Sequence, residues 1–561
     1  MELRARAATR IALLLGLLAA LGLPAASQAA ALTTPRSQTE PPRFFQRSAR
    51  QVIAIASRVD AVRLERRAGR LRPAAYTKGA GRWQVSFFRD SKEVAQVHVD
   101  DRSGAVLEQW TGPQVAWTMA RGYEGAFGRE LNAPYVWIPL CLLFLAPFVD
   151  PRRPFRLLHL DLLVLLGFGF SHVFFNRGEI ATAVPLAYPV LLYVLVRCLA
   201  AGLRPRERAG RLVPHVPASW LMAGVFFLAA FRVGLNLFDS NVIDVGYAGV
   251  IGADRIADGD GLYGPGFSPD VGHGDTYGPL AYLLYLPFEQ LLPWGGSWDG
   301  LPAAHGAAIA FDLLTLGGLL VLGRRLRAGA EGRLLGLALA YAWVAYPYTA
   351  FALETNSNDT LVALFCVVAL LALTLERVRA TGSALLRGAA VGAGAAVKFA
   401  PLALAPLFAA GGGGRRLRDL LPFALGLAAV VALATLPWLP DGGLRELYDR
   451  TVGYQAGRGS PFSIWGQAES LGWLQTAVKL LAAGLALLVA FVPRRRDARQ
   501  VAALGAAVLV ALQLGVSHWF YLYVVWFLPF VLITVLGAPR AKPPRPDEAD
   551  DAARRAELVA A

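Results

Sequence analysis

The sequence predicts a polytopic α-helical membrane protein with about 12–14 hydrophobic segments and a small extracytoplasmic α/β domain near its N-terminus. Hydrophobic residues make up 55% of the 561 residues, and apolar runs of about 17 to 25 residues, long enough to cross a bilayer, recur along the chain. Between the first two runs lies a mostly polar segment with helix and strand patterns. The net charge of +15 does not indicate nucleic acid, because the basic residues form short clusters between apolar runs.

The first 31 residues have the pattern of an export signal. Arg4, Arg6 and Arg10 precede an apolar core, and small residues follow at positions 29–31. Residues 1–31 are therefore predicted to be a signal peptide or a retained signal anchor. In both cases the polar segment 32–132 is expected outside the cytoplasm.

Segment 32–132 has the pattern of a small α/β domain. Residues 50–67 have helical periodicity, residues 83–88 alternate as in a strand, and residues 94–110 read as a hairpin turned at 101–104. The order of a helix, GRWQVSFF and VAQVHVDDRSGAVLEQWTG resembles PepSY domains. That resemblance implies no chemistry.

Arginine clusters orient the membrane spans, because cytoplasmic loops retain positive charge. Clusters at 152–156, 204–211, 324–327, 377–387, 415–418 and 494–496 are predicted to be cytoplasmic. Loop 238–302 carries nine acidic residues against Arg255 alone and is predicted to lie outside. The tail 538–561 is charged and Pro-rich, and it is predicted to be disordered in the cytoplasm.

The predicted spans divide into additional transmembrane helices within 133–216 and a catalytic region over 217–537. They lie near residues 135–149, 181–201, 219–238, 303–323, 334–353, 360–375, 420–438, 474–492, 501–516 and 520–536. The run 280–292 is shorter than a span and is placed at the outer interface. Residues 388–410 form a broken pair of apolar pieces joined at Lys398, near the outer leaflet.

Three strings within residues 219–536 resemble GT-C glycosyltransferases, especially the polyprenyl-phosphate-mannose-dependent mannosyltransferases. VIDVGYAGVIGADRIADGDGLYG, followed by TYGPLAYLLYLPFEQLLP, is similar to their first outer loop. GAAVGAGAAVKFAPLALAPL is similar to their Lys-Pro segment, and SHWFYLYVVWFLP to their late Ser-x-x-Trp-His element. The family's Tyr-Pro-Pro-Leu reads Tyr277-Gly278-Pro279-Leu280 here, a departure at one position.

The resemblance implies an enzyme of the bacterial cytoplasmic membrane with an outward-facing site. It would transfer mannose or a similar sugar from a polyprenyl-phosphate carrier to a lipid or polysaccharide acceptor, with inversion at the anomeric carbon. A transporter or envelope-assembly scaffold is the alternative. Transporters place essential charges near the bilayer midplane in paired halves, whereas the charges here cluster at the outer rim, which favours the enzyme.

Such a transfer needs a carboxylate to take the acceptor proton and cations to hold the leaving phosphate. Asp244 matches the family's loop Asp and is the predicted base, although Asp also caps helices. Asp239 is a second carboxylate, a metal ligand or an interfacial charge. Asp258 and Asp260 lie among glycines, where they form a solvated turn or weakly bind a divalent cation.

Three basic residues are candidates for binding the donor phosphate. Lys398 lies at the break between two half-spans, where it would meet a lipid phosphate or simply reach the headgroups. Arg458 lies in a Gly-flanked loop that an anion can approach closely, or in a plain surface loop. His518 matches the family's late His approximately and would contact donor or acceptor, or serve structure alone.

The remaining candidates are polar residues of the predicted outer surface. Tyr247, Tyr263 and Tyr277 match tyrosines of the family's loop and are assigned to substrate binding. Glu354 and Asn358 share a short outer turn with Asn356 and Asp359. This turn would hydrogen-bond sugar hydroxyls, unless its residues merely form the turn.

Overall fold

The computed structural model describes residues 32–125, 128–204, 214–267, 271–295, 301–375, 379–412 and 416–537. The predicted signal 1–31 and the predicted tail 538–561 lie outside the described residues. Within them, the prediction of a polytopic α-helical protein with a small α/β domain is confirmed.

The N-terminal domain is a five-stranded antiparallel meander covered on one face by two helices. Its strands, in both chain and sheet order, are β1 (Leu32–Thr33), β2 (Arg72–Lys78), β3 (Arg82–Arg89), β4 (Lys92–Asp100) and β5 (Val106–Thr111). Helices α1 (Ala49–Ala56) and α2 (Asp60–Arg67) pack on it. Alternate residues of β3, including Trp83 and Phe87, form the core because successive side chains of a strand point to opposite faces.

The predicted strand 83–88 and the hairpin 94–110 are confirmed by β3, β4 and β5. The predicted helix 50–67 is instead two helices. Val59, the residue before α2, has extended backbone angles, so the chain turns between them. Ser48 begins α1 with a capping box, in which its hydroxyl and the Gln51 side chain satisfy each other's backbone N–H groups.

Seven helices in the described part of the chain are long and apolar enough to cross a membrane. They are Leu157–Phe175, Ile180–Leu203, Ala218–Asp239, Pro302–Leu326, Arg418–Trp438, Glu469–Leu488 and Ala498–Gly515. An eighth is a bent pair, Gly329–Ala345 and Pro347–Glu354. Shorter apolar helices are Pro134–Leu145, Asp359–Leu373, Ala400–Ala410 and Tyr521–Leu536.

Two of these helices differ from the prediction. Leu157–Phe175 was not among the spans predicted from sequence, yet it supplies a second crossing between two arginine clusters that are both predicted to be cytoplasmic. The predicted span 334–353 is bent by 59° at Tyr346. Pro347 explains the bend, because proline disfavours helical angles in the preceding residue and lacks an N–H donor.

Glycines bring the backbone of helix Ala380–Val397 against helix Arg416–Thr435. A Cβ at Gly388 would lie 2.0 Å from the Phe423 carbonyl oxygen, and one at Gly426 would lie 2.1 Å from the Leu385 carbonyl oxygen. Small residues at such crossings allow close packing in membranes. The contact fixes the helix that ends immediately before Lys398.

Helix Asp244–Asp258 carries glycines at every third position, and the last two of them face the segment predicted at the membrane interface. A Cβ at Gly249 would lie 2.8 Å from the Tyr285 ring, and one at Gly252 would lie 2.2 Å from the Tyr282 ring. The facing segment forms two short helices, Leu280–Leu283 and Leu286–Leu291. Neither is long enough to span a bilayer.

Candidate functional site

Lys398 occupies the break that the sequence predicted. Helix Ala380–Val397 ends there, and Lys398 is extended, with φ −140° and ψ 138°. Its Nζ lies 2.5 Å from Asp359 Oδ1, and its side chain is only 10% exposed. A buried ammonium requires such a counter-ion, because burial without one is costly.

Three aromatic rings surround the same ammonium. Lys398 Nζ lies 5.9 Å from the ring centroid of Tyr277, 5.8 Å from that of Tyr523 and 5.5 Å from that of Trp526. Tyr523 and Trp526 stack on each other, with centroids 4.2 Å apart. The negative ring faces therefore add to the stabilisation of the cation.

Asp359 begins helix Asp359–Leu373 and connects Lys398 to the last apolar helix. Its Oδ1 also accepts a hydrogen bond of 2.8 Å from Trp526 Nε1. Its Oδ2 is buried without a hydrogen-bond partner among the described residues. The carboxylate thus has unused acceptor capacity beside a cation that an arriving anion would also attract.

Arg458 and His518 bring further polar groups to this cluster. His518 Nδ1 lies 2.8 Å from Ser460 Oγ, and the Phe462 N–H donates a hydrogen bond to the same oxygen. Burial, together with the positive charges of Arg458 and Lys398, lowers the pKa of His518 to about 3. His518 is therefore neutral near pH 7 and able to donate one hydrogen bond through its ring.

Asp244 reaches the cluster from the acidic loop. It is the exposed first residue of helix Asp244–Asp258, and its Oδ1 accepts a hydrogen bond of 2.9 Å from the Val245 N–H. Burial raises the pKa of Tyr277 well above its usual value; the charges of Asp244 and Asp359 raise it further, and Arg458 opposes them. The charges of Asp244, Asp359 and Arg458 thus all act on one tyrosine, whose ring also lies 5.9 Å from Lys398 Nζ.

Gly278 explains the departure from the family's tyrosine-proline motif. A Cβ at Gly278 would lie 2.1 Å from the carbonyl oxygen of Ala396, two residues before Lys398. Only glycine permits this approach, because every other residue, proline included, carries a Cβ. The neighbouring Tyr277 is thereby held over the lysine.

The turn at residues 354–358 positions Asp244 through its backbone. The Asn241 N–H donates to the Glu354 carbonyl at 3.2 Å, and the Ile243 N–H donates to the Thr355 carbonyl at 3.1 Å. The side chains of Glu354 and Asn358 are buried, each at 1% exposure, and neither has a side-chain hydrogen-bond partner in the described residues. Their predicted role in sugar binding stays a prediction.

The other predicted residues lie outside the Lys398 cluster. Asp239 accepts a hydrogen bond of 2.8 Å from the Glu130 N–H, at the start of the short helix Arg129–Asn132. Tyr263 donates to the Tyr277 carbonyl at 3.0 Å and so supports the loop. Tyr247 is buried, with its ring 6.2 Å from that of Trp294.

The possible divalent-cation site is not assembled in the described residues. Asp258 and Asp260 are exposed at the end of their helix, and Asp260 lies 3.9 Å from Arg255 Nη1. Among the residues with described positions, no group of three or more His, Cys, Asp or Glu side chains is placed to hold a metal ion.

A family match covers most of this cluster. Residues 276–517 match the model of glycosyltransferase family 87. The matched segment, less than half of the chain, contains Tyr277, Asp359, Lys398 and Arg458. Asp244 lies upstream of it, and His518 follows it by one residue. The match supports a membrane glycosyltransferase.

A solved structure is also similar to this chain. It is the crystal structure of ArnT from Cupriavidus metallidurans bound to undecaprenyl phosphate, with 18% sequence identity and a TM-score of 0.40. The similarity covers 62% of this chain and 64% of the other, less than two thirds of its length. No curated protein matches the chain.

Sequence reasoning missed part of the site. It placed Asp359 in a polar turn that would bind sugar hydroxyls or merely form the turn, and it did not identify Asp359 as the counter-ion of Lys398. Tyr523 and Trp526 lie within the string SHWFYLYVVWFLP, but nothing in the string distinguishes them from lipid-facing aromatics. The one available signal was the position of Asp359 at the start of an apolar run. A carboxylate buried there needs a cation as its partner.

Proposed function

We propose that the protein transfers a sugar, mannose or similar, from a polyprenyl-phosphate carrier to a cell-envelope acceptor outside the bacterial cytoplasmic membrane. The observation that carries this proposal is the buried Lys398 beside Tyr277, a tyrosine whose pKa the charges of Asp244 and Arg458 also shift. The cations suit a phosphate leaving group, and the exposed carboxylate suits a base.

The reaction assigns one task to each group. Asp244 takes the proton of the acceptor hydroxyl, whose oxygen attacks the anomeric carbon of the donor sugar. The bond between that carbon and the phosphate oxygen breaks, and the carrier phosphate gains a negative charge. Lys398 and Arg458 stabilise this charge, while neutral His518 donates a hydrogen bond. A single displacement of this kind inverts the anomeric centre.

The apolar surroundings of Lys398 suit a lipid-linked donor. The ammonium lies between aromatic rings at the end of a short apolar helix pair, at Ala400–Leu404 and Ala405–Ala410. A carrier whose hydrocarbon tail remains in the bilayer would present its phosphate at this depth. Leu402, four positions after Lys398 in the chain, is 49% exposed and offers apolar surface to such a tail.

The test is sugar transfer by the purified full chain in liposomes. A panel of polyprenyl-phosphate sugars serves as donors, and an envelope lipid extract supplies the acceptor. We expect Asp244→Asn to lower transfer by about 10²–10⁴-fold without unfolding the protein. Asp258→Asn, the same change at the exposed end of the same helix, should retain wild-type activity.

The possible outcomes test the enzyme proposal and the assignment of Asp244 as the base separately. If wild type transfers nothing from any donor, the enzyme proposal fails and the transporter or scaffold becomes the better hypothesis. If Asp244→Asn remains active beside an active wild type, the base assignment alone fails. Equal losses in Asp244→Asn and Asp258→Asn would indicate a general charge effect in the loop.

A further inference from the structure

The segment that joins the N-terminal domain to the membrane part is anchored firmly in the domain. Arg121 is buried at 4% exposure, and its Nη2 donates to Gln96 Oε1 of β4 at 2.9 Å. Its guanidinium lies 5.1 Å from the ring centroid of Trp110 in β5. Arg121 Nε also donates to the Gln114 carbonyl at 2.8 Å, which closes the segment into a compact turn.

The same segment is also attached to the membrane part. Gln114 Nε2 donates to the Asn176 carbonyl at 3.3 Å, at the end of helix Phe168–Phe175. Ala120 is completely buried within the hydrophobic core of the membrane helices, and Trp117 packs against that core. Residues 113–121 therefore form a bridge with contacts on both sides.

From this bridge, one side chain reaches the candidate site. The Trp117 ring lies 4.7 Å from that of Phe462, and the Phe462 ring lies 5.3 Å from that of His518, edge to face. The Phe462 N–H donates a hydrogen bond to Ser460 Oγ, which lies 2.8 Å from His518 Nδ1. The Phe462 ring thus contacts both Trp117 and the site histidine.

The loop that Phe462 holds needs external support. Arg458 stands between Gly457 and Gly459, where a Cβ would meet no atom within 4 Å. Glycine gives the backbone wide conformational freedom, so an unsupported loop would not hold Arg458 in one place. Phe462 also contacts Phe175 and Phe520, at 5.9 and 6.3 Å, but its nearest ring is that of Trp117.

We propose that Trp117 is a positioning residue through which the N-terminal domain holds the Arg458–Phe462 loop for binding of the donor phosphate. The inference rests on the proposed function. The domain would then be a structural part of the donor site, and its loss would weaken donor binding while leaving Asp244 in place.

The test compares Trp117→Ala with wild type as full chains in liposomes. Its readouts are KM for the donor, KM for the acceptor and the Kd of polyprenyl phosphate itself. Loss of one aromatic contact is expected to raise the donor KM and this Kd about three- to tenfold, with the acceptor KM within about twofold. Trp117→Phe keeps a ring and should restore donor binding.

Trp83→Phe is the matched control, because it alters the core of the N-terminal domain without touching Phe462. It should bind donor as wild type does. If Trp117→Ala does not fold, Trp117→Leu replaces it, because leucine keeps an apolar side chain without the aromatic contact. The same changes in donor KM, acceptor KM and Kd are then expected.

Unchanged donor KM and Kd in Trp117→Ala, beside an active wild type, would overturn the inference and leave the proposed function intact. Equal rises of donor and acceptor KM would also overturn it. A wild type that neither binds polyprenyl phosphate nor transfers sugar would remove the proposed function and this inference together.

Discussion

The buried pair of Lys398 and Asp359 gives the sharpest prediction. Asp359→Asn keeps Oδ1 as the acceptor for Trp526 Nε1 but removes the charge that lies 2.5 Å from the ammonium. The side chains of Asp359 and Lys398 are only 1% and 10% exposed, so water cannot replace the lost counter-ion. The substitution therefore leaves a buried cation unpaired.

The expected magnitude follows from this burial. Removing one partner of a buried ion pair costs about 3–5 kcal/mol of unfolding free energy. Because Lys398 is slightly exposed, the expected cost is at the lower end of this range, about 3 kcal/mol. Lys398→Met removes the charge in a side chain of similar length, so the double variant Asp359→Asn/Lys398→Met should lose only about 1 kcal/mol.

The assay is a double-mutant cycle of unfolding in one detergent, with Asp258→Asn as the exposed-carboxylate control. Polyprenyl phosphate should raise Tm more in Asp359→Asn than in wild type, because the unpaired ammonium gains an anion. If the two single losses add to that of the double variant within about 0.5 kcal/mol, Lys398 and Asp359 are not coupled and the reasoning is wrong.

Three further predictions concern the loop, the histidine and the topology. Gly278→Ala should lower the unfolding free energy by about 1–3 kcal/mol in the same assay, because the added Cβ would lie 2.1 Å from the Ala396 carbonyl oxygen. The control Gly272→Ala should lower it far less, because a Cβ there would meet no atom within 4 Å. The folded pKa of His518 is about 3 against an ordinary 6.5, so stability should fall as pH drops from 6.5 towards 3, and His518→Gln should flatten that part of the profile. Gly295→Cys, in a chain whose three native cysteines are replaced, should react with an impermeant thiol reagent from outside the cell; labelling only from the cytoplasm would contradict the predicted topology.

Most of the architecture could be predicted from the sequence, because apolar length and arginine placement are local properties of the chain. Runs long enough to cross a bilayer predicted most of the spans, and alternation predicted β3 and the hairpin. The break at Lys398 was also predicted, since a charged residue interrupts an apolar run there. Local signals failed at Leu157–Phe175, which was not identified, and at Tyr346, where the span bends.

Tertiary structure alone decided which of the candidate residues meet. Asp359 and Lys398 are 39 positions apart, and Trp526 is a further 128 positions along the chain, yet they form one buried cluster. The contact between Trp117 and Phe462 spans most of the chain. No local pattern encodes such pairings, because they arise from helix packing, and that packing depends on close contacts such as those of Gly388 and Gly278.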